Sequence, residues 1–269
     1  MQSLVHKQHA TEYIWKGDPA YWGKHSPVLF PIVGALKDDV YEYDHRRYSL
    51  PRHGFARDHV FSIERQEHAQ AIFQLRSSPE TRAVFPFSFV LNIYYTLQKA
   101  SLSVRYEVIN TGDAPLYFSI GGHPAFNVPL EPALHYEDYA LVFEQPETLD
   151  RWPLQNGLIS AEGVPFLNNE TEIPLSKPLF YEDAIVLKHP RSASVVLKSM
   201  HGKRGLNFHF GGISYLGIWA AKDAPFVCIE PWSGIADSIH HNQKLIEKEG
   251  ILRLEANETW ERSWSVDCF

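Results

Sequence analysis

"FSFVLNIYYTLQKASLSVRYEVIN", residues 87–110, carries the clearest fold signal in the chain. In its second half apolar and polar residues alternate strictly, and a period of two is typical of a β-strand with one buried face. The apolar members are Leu102, Val104, Tyr106 and Val108. The short break "KA" between the halves predicts a β-hairpin.

Further strand patterns follow along the chain. "DAIVLKH" (183–189) and "ASVVLKS" (193–199) are joined by "PRS", which predicts a second hairpin. Strand composition recurs in "GLNFHFGG" (205–212), "YLGIWAA" (215–221), "FVCIEPW" (226–232) and "TWERSWSV" (259–266). Helical periodicity is scarce, and "HHNQKLIEKEG" (240–250) is its best example, as a short helical turn. The sequence predicts one all-β domain over residues 1–269, with two extended sheets packed face to face.

Bulk properties exclude several classes of protein. The chain has 269 residues and a formal net charge of −7, which argues against a nucleic-acid-binding surface. No stretch is long and apolar enough to span a membrane, and the N-terminus lacks the apolar region of a signal peptide. The two cysteines form no C-x-x-C pair and suit a reducing compartment. We expect a soluble cytoplasmic protein with no membrane partner.

Common cofactor and metal motifs are absent. The chain has no P-loop, no Rossmann glycine fingerprint, no H-E-x-x-H and no G-x-S-x-G elbow. His240 and His241 are adjacent, but neighbouring side chains on a strand point to opposite faces and rarely share one ion. We therefore expect neither a metal nor a cofactor.

The first stretch that could carry chemistry is "LPRHGFARDHVF", residues 50–61. Here His53 has Arg52 and Arg57 on either side, and Asp58 supplies a counter-charge. These residues suit an anionic or hydroxyl-rich ligand. The alternative is an arginine–aspartate surface loop that contains a histidine by chance, because such residues are usually solvated.

The second stretch is "SIGGHPAFNVPL", residues 119–130. Two glycines allow close approach of the backbone, and Pro124 restricts His123 to an extended conformation. We expect His123 to point towards a ligand, with Phe126 as an apolar face and Asn127 as a hydrogen-bonding group. The alternative is a glycine-rich bulge with a histidine whose hydrogen bonds are satisfied internally.

The third stretch is "FVCIEPWSGIADS", residues 226–238. Glu230 ends a buried strand at Pro231 and stands beside Trp232, a setting that raises a carboxyl pKa and favours a general base. Asp183, which opens "DAIVLKH", is a weaker candidate for the same site. A glutamate in a salt bridge at a strand edge remains the alternative.

Three motifs taken in order resemble one family. "LFPIVGALKDDVYEYDHRRYSLPRHGFARD" (29–58), "GGHPAFNVP" (121–129) and "CIEPWSGIADS" (228–238) are similar to the aldose 1-epimerase (galactose mutarotase) superfamily, and most similar to its LacX-type branch. The resemblance extends from about residue 27 to the C-terminus. It implies a galactose mutarotase-like β-supersandwich of mostly antiparallel strands, a concave sugar site and a reaction that needs no cofactor.

The resemblance also implies roles for individual residues. Glu230 resembles the general base that takes the proton from the C1 hydroxyl, and His123 resembles the general acid that protonates the ring oxygen. His53 resembles the second histidine, on the ring-oxygen side. Asp183 would hydrogen-bond sugar hydroxyls, although this match rests on strand order more than on a motif.

One segment departs from the family pattern. Better-characterised mutarotases carry arginines where this chain reads "VGALKDDVY" (33–41), and Lys37 is the only cation there. Arg57 would replace the missing guanidinium, either by supporting the sugar ring or by binding the phosphate of a phosphorylated substrate. Arg52 and Lys37 are the other candidates for a phosphate pocket. The acidic balance of the chain favours the neutral sugar.

The favoured function is interconversion of the α and β anomers of a free aldose. A hexose-6-phosphate 1-epimerase is the first alternative, and several cations converging on the pocket would favour it. A non-catalytic sugar-binding or sensing protein on the same fold is the second. A glycosidase would need two carboxylates flanking one bond, and only Glu230 is a compelling one.

Overall fold

The computed structural model describes residues 1–269 as 23 β-strands, one α-helix and five 3-10 helices. The strands are β1 (Val5–His6), β2 (Thr11–Glu12), β3 (Val28–Leu29), β4 (Val40–Tyr43), β5 (Arg46–Ser49), β6 (Ser62–Gln66), β7 (Gln70–Arg76), β8 (Phe89–Gln98), β9 (Ser101–Asn110), β10 (Leu116–Phe118), β11 (Ile120–Gly122), β12 (Ala125–Asn127), β13 (Tyr139–Arg151), β14 (Leu154–Gln155), β15 (Leu158–Ile159), β16 (Val164–Pro174), β17 (Ile185–Lys188), β18 (Ser194–Ser199), β19 (Gly205–His209), β20 (Tyr215–Trp219), β21 (Phe226–Ser233), β22 (Leu252–Leu254) and β23 (Thr259–Cys268). The helix α1 is Pro79–Val84, and the 3-10 helices are Lys37–Asp39, Ala56–Asp58, Tyr136–Asp138, Lys177–Phe180 and Leu245–Glu247.

Fifteen strands form one continuous sheet. Its order is β3-β11-β21-β20-β17-β13-β18-β19-β23-β9-β8-β7-β6, with β12 also pairing with β21 and β16 with β13. Every strand pair in it is antiparallel, which confirms the all-β prediction. Four further pairs form small two-stranded sheets: β1-β2, β4-β5, β10-β22 and β14-β15.

Two halves of this sheet pack face to face over one large apolar core. Phe126 on β12 packs against Phe208 on β19, with ring centroids 5.8 Å apart. The two extended sheets that the sequence predicted are thus halves of one continuous sheet. The long strand β13 pairs with β18 near its start and with β17 at Arg151, so it joins the two halves by hydrogen bonds.

Of the two predicted hairpins, the structure contains one, and it contains the predicted helical turn. The hairpin at "KA" is confirmed, because Gln98 pairs with Ser101 across the turn. The hairpin at "PRS" is wrong, because β17 and β18 both pair with β13 and not with each other. The buried Glu147 carboxylate of β13 accepts hydrogen bonds from the backbone N–H groups of Arg191 and Ser192, so the connection is held against β13. The helical turn at 240–250 is the 3-10 helix at Leu245–Glu247.

No helix is long and apolar enough to cross a membrane. The feature that the fold builds for function is a cavity of about 280 Å³. Strands β14, β15, β17, β20 and β21 contribute to its wall, together with segments that follow β2, β3, β5, β11, β14, β16 and β21.

Candidate active site

Glu230 lies in the middle of β21, a strand whose residues are all buried. It pairs with Gly217 of β20 and is only 1% exposed, yet it lines the cavity. One carboxylate oxygen, Oε2, has no hydrogen-bond partner. The prediction that this strand ends at Pro231 is wrong, because β21 continues to Ser233, but Glu230 is buried beside Trp232 as expected. A buried carboxylate with a free oxygen at a cavity is a setting that suits a general base.

His123 lies beside Glu230 because of a break between two short strands. β11 pairs with β21 through Gly121 and Trp232, and β12 pairs with it through Ala125 and Cys228. His123 therefore crosses the gap at the level of Glu230. Its Nε2 lies 3.4 Å from Glu230 Oε2, and its Nδ1 has no hydrogen-bond partner. The structure thus brings together the two residues expected to act as acid and base.

The two glycines before His123 leave room for the side chains of other residues. A Cβ on Gly121 would lie 2.6 Å from Cδ1 of Trp232, and one on Gly122 would lie 2.9 Å from the Tyr106 hydroxyl oxygen. The close approach that these glycines allow is therefore to Trp232 and Tyr106, and not to a ligand of His123.

Two expected neighbours of His123 lie elsewhere. Phe126 is fully buried in the core, and the Asn127 amide donates hydrogen bonds to the carbonyl oxygens of Glu12 and Ile14. Neither side chain lines the cavity. The prediction that they contact a ligand is therefore wrong, because on β12 they are engaged in packing and in fixing the N-terminal segment.

Tryptophans take the place of Phe126 beside His123. The Trp22 ring stacks on His123 with centroids 4.8 Å apart and planes 24° apart, and the Trp219 ring meets it edge-on at 5.6 Å. Both line the cavity. Sequence reasoning missed them as site residues. Strand alternation could have indicated Trp219, which pairs with Cys228 two residues before Glu230, whereas Trp22 lies in an irregular segment without a pattern.

His53 is held by the backbone of Gly34. The His53 N–H donates to the Gly34 carbonyl oxygen at 2.9 Å, and the Gly34 N–H donates to His53 Nδ1 at 3.1 Å. This second bond makes Nδ1 an acceptor, so the neutral ring carries its proton on Nε2. The residue has a positive φ of 70°, and its ring centroid lies 5.9 Å from that of His123.

The turn that carries His53 requires a glycine at its next position. Gly54 has φ of 68°, and a Cβ there would lie 2.4 Å from the Phe30 carbonyl oxygen. Any side chain would therefore displace the turn and His53 with it.

Arg52 and Asp183 form an ion pair in the cavity wall. Arg52 Nη2 lies 3.4 Å from Asp183 Oδ2. Asp183 has φ of 118°, a region that non-glycine residues rarely adopt and that is enriched at functional sites. Arg57 also lines the cavity, and its Nη2 donates to the Arg52 carbonyl oxygen at 2.8 Å. Lys37 does not line the cavity, because its ammonium donates to the His241 carbonyl oxygen.

Burial shifts the pKa values of the central groups. Loss of solvation raises the pKa of Glu230 well above its usual range and lowers the pKa of His123 to about 3. Burial also lowers the pKa of His53 well below its usual range. A proton on the pair of His123 and Glu230 is therefore favoured on Glu230 when no ligand is bound, because burial disfavours both the carboxylate and the imidazolium.

The buried carboxylate of Asp237 holds one of the loops that line the cavity. The Asp237 side chain receives hydrogen bonds from the Lys248 ammonium at 2.8 Å and from the Lys37 backbone N–H at 2.9 Å. The Asp237 N–H donates to the Ala35 carbonyl oxygen at 2.9 Å, next to Gly34. Asp237 thus anchors the loop whose backbone holds His53.

This arrangement defines a class of protein. The chain belongs to the aldose 1-epimerase family, whose sequence profile it matches over residues 1–251. It is similar to protein LacX of Lactococcus lactis subsp. lactis, in both its plasmid and chromosomal forms. Each form is 33% identical over 267 residues, covering 95% of this chain and 89% of the relative. The resemblance read from the three motifs is confirmed.

Two solved structures share the fold closely. The galactose mutarotase related enzyme from Lactobacillus acidophilus has a TM-score of 0.94 and 33% identity, covering 100% of this chain and 90% of that one. A galactose mutarotase-like protein from Lactobacillus casei ATCC 334 has a TM-score of 0.90 and 31% identity, covering 100% and 93%. They confirm the predicted galactose mutarotase-like, mostly antiparallel β fold.

Proposed function

We propose that this chain interconverts the α and β anomers of a free aldose by opening and closing the sugar ring, with residues 1–269 acting as one domain and no cofactor. The observation that carries the proposal is the His123–Glu230 pair, buried, 3.4 Å apart and facing a cavity with aromatic walls. Family membership supports a sugar substrate. A binding protein would need no buried acid–base pair.

The proposed reaction is a proton transfer coupled to cleavage of one bond. Glu230 as carboxylate takes the proton from the C1 hydroxyl while the bond between C1 and the ring oxygen breaks. Protonated His123 gives its proton to the ring oxygen, which leaves an open-chain aldehyde. Rotation about C1–C2 and reclosure by the reverse transfers give the other anomer. Glu230 ends ring opening protonated and His123 neutral, so reclosure restores the starting state.

The pKa directions support a pair that acts as a unit. The reaction needs one proton on the pair at all times, and the raised pKa of Glu230 favours keeping such a proton on the pair. In the ligand-free cavity that proton lies on Glu230. Its transfer across 3.4 Å to His123 produces the carboxylate base and the imidazolium acid. Sugar hydroxyls in the cavity would favour this transfer, because they solvate the charges that burial disfavours.

Other cavity residues would orient the sugar. His53 carries its proton on Nε2 and would donate to the ring-oxygen side, while Asp183 and Arg52 would bind hydroxyl groups. The apolar face of the sugar would stack on the indole ring of Trp22. We propose Arg57 as a support for the ring through its position in the wall and its bond to Arg52.

A hexose-6-phosphate is the second candidate substrate, because Arg52 and Arg57 both line the cavity. The neutral sugar remains favoured, since each guanidinium already has a carboxylate neighbour: Asp183 for Arg52 and Asp58, at 3.7 Å, for Arg57. A phosphate would have to compete with both.

Anomer exchange measured by saturation-transfer NMR tests the proposal. We would compare glucose, galactose and glucose 6-phosphate, with Glu230→Gln as the inactive variant and Glu247→Gln, an exposed carboxylate, as the matched control. Exchange accelerated by the wild type and by Glu247→Gln, but not by Glu230→Gln, would support the epimerase. The preferred sugar would identify the substrate class.

Two further variants refine the test. His123→Ala should be nearly as damaging as Glu230→Gln, and His53→Ala should weaken both binding and turnover. Sugar binding without accelerated exchange for any of the three sugars would contradict the epimerase proposal and favour a binding or sensing protein.

A further inference from the structure

Cys228 is a side chain that the proposed reaction does not use. It lies on β21 two residues before Glu230, so both side chains point to the same face of the sheet. It is fully buried and has no disulfide partner. Its neighbour across the strand pair, Ala125, follows closely on His123.

These three residues bring together three kinds of metal ligand. One ligand atom each from His123, Cys228 and Glu230 lie within 4.8 Å of one another, and all three residues are buried. His123 Nδ1 and Glu230 Oε2 have no hydrogen-bond partner in the protein. Imidazole nitrogen, thiolate sulfur and carboxylate oxygen are the three donor types that Zn²⁺ prefers.

We propose that His123, Cys228 and Glu230 bind a thiophilic divalent cation such as Zn²⁺, and that this ion competes with the sugar for the cavity. Binding forms one bond from each side chain to the metal. It releases to solvent the proton of the Cys228 thiol and the proton shared by His123 and Glu230. Three protein ligands leave a fourth position of the tetrahedral ion open towards the cavity.

The geometry suits a competitor. Ligand atoms on a tetrahedral zinc ion are about 3.3–3.7 Å apart, so ligand atoms now up to 4.8 Å apart must approach one another by about 1 Å when the ion binds. An ion held there would occupy the lone pairs of both acid and base. The Cys228 thiol is fully buried, and a thiol that coordinates a metal ion loses its proton.

The second cysteine provides a matched control. Cys268 ends β23, is 8% exposed, and belongs to no comparable cluster of metal-ligating side chains. Chelator-treated wild-type protein, Cys228→Ser and Cys268→Ser would each be titrated with Zn²⁺ by calorimetry, without sugar. Co²⁺ would serve as a spectroscopic probe, because a cobalt–thiolate bond gives a charge-transfer band.

We expect one Zn²⁺ per chain for the wild type and Cys268→Ser, and affinity at least about 10-fold weaker for Cys228→Ser. The cobalt–thiolate band should disappear only in Cys228→Ser. Because a buried hydroxyl could disturb β21, Cys228→Ala would be measured in parallel, and circular dichroism would verify its fold. The proposal is overturned if the wild type binds no Zn²⁺ stoichiometrically, or if both Cys228 variants bind it as tightly as the wild type.

Only the competition with sugar rests on the proposed function. Zn²⁺ should raise the apparent KM for anomer exchange, and a chelator should restore it. Chelated protein that turns over normally and binds Zn²⁺ supports both proposals. Chelated protein that binds Zn²⁺ but accelerates no exchange, with or without the ion, would refute the epimerase while leaving the metal site standing. A requirement of exchange for Zn²⁺ would overturn the role of competitor.

Discussion

Two buried carboxylates in one stretch of chain, Glu230 and Asp237, have opposite surroundings. Each is 1% exposed. Asp237 accepts a hydrogen bond from the fully buried Lys248 ammonium and another from the Lys37 backbone N–H. Glu230 has an unpartnered Oε2, and His123 is its neighbour at 3.4 Å.

The difference in surroundings distinguishes a carboxylate that stabilises the fold from one that is suited to proton transfer. A buried charge that accepts hydrogen bonds from distant segments, as Asp237 does, holds those segments in place. A buried carboxyl group without such partners is kept close to neutrality, and its proton remains available for transfer. Asp237 positions the loop that holds His53, and Glu230 faces the cavity with His123.

The largest expected effect is on turnover. Glu230→Gln keeps the shape of the side chain but removes the proton acceptor, so we expect kcat for anomer exchange to fall by about 10²–10⁴-fold. Saturation-transfer NMR measures the rate, and circular dichroism checks the fold. A variant that keeps a tenth or more of the wild-type rate would show that Glu230 is not the base.

The next effect is on stability and concerns the other carboxylate. Lys248→Met leaves the Asp237 charge buried without its ammonium partner, and we expect a loss of about 3–5 kcal/mol in the free energy of unfolding. Urea denaturation measures this. The double variant Lys248→Met, Asp237→Leu should recover much of the loss, because no unpaired charge remains. A loss below about 1 kcal/mol in the single variant would contradict a structural role for the pair.

The third effect is the dependence of folding stability on pH that Glu230 causes. Its pKa is raised in the folded chain, so the folded state binds more protons than the unfolded state above the usual pKa of 4.5. Stability contributed by Glu230 therefore falls as pH rises from 4.5 through the folded pKa. Glu230→Gln removes this cost and should raise Tm near neutral pH by about 2–4 °C per kcal/mol recovered.

The control for this effect is to compare the Tm of the wild type with that of Glu230→Gln at acidic pH. Near pH 4 and below, Glu230 is protonated in both states, so the difference in Tm between wild type and variant should shrink. A variant that is less stable than the wild type at neutral pH would indicate that Glu230 is held by partners, as Asp237 is.

The smallest effect concerns the wall of the cavity. Trp22 stacks on His123, and stacked aromatic pairs contribute about 0.5–1.5 kcal/mol beyond area burial. Trp22→Ala should raise KM for anomer exchange by about 2–10-fold, whereas Trp22→Phe should retain most of the wild-type value. Equal KM values for all three proteins would show that Trp22 does not contribute to sugar binding.

Local patterns predicted the parts of this fold that depend on neighbours in the chain. The hairpin at Lys99–Ala100 follows from two flanking strands and a short turn, and it formed as expected. The hairpin predicted at 190–192 failed because β17 and β18 select β13 as their partner. The connection between them is hydrogen-bonded to Glu147, more than 40 residues away in the chain.

The sequence alone identified the chemistry-bearing residue types and the family. The motifs around His53, His123 and Glu230 are short and local, so they could be read without coordinates, and Asp183 was found by strand order. Contacts between distant segments required the tertiary structure. It placed Trp22 on His123, Cys228 beside His123 and Glu230, and Arg52 against Asp183, and it showed that Phe126 and Asn127 lie away from the cavity. The physical reason is that side-chain alternation records which face of a strand is buried, whereas the partner across that face is selected by packing of the whole sheet.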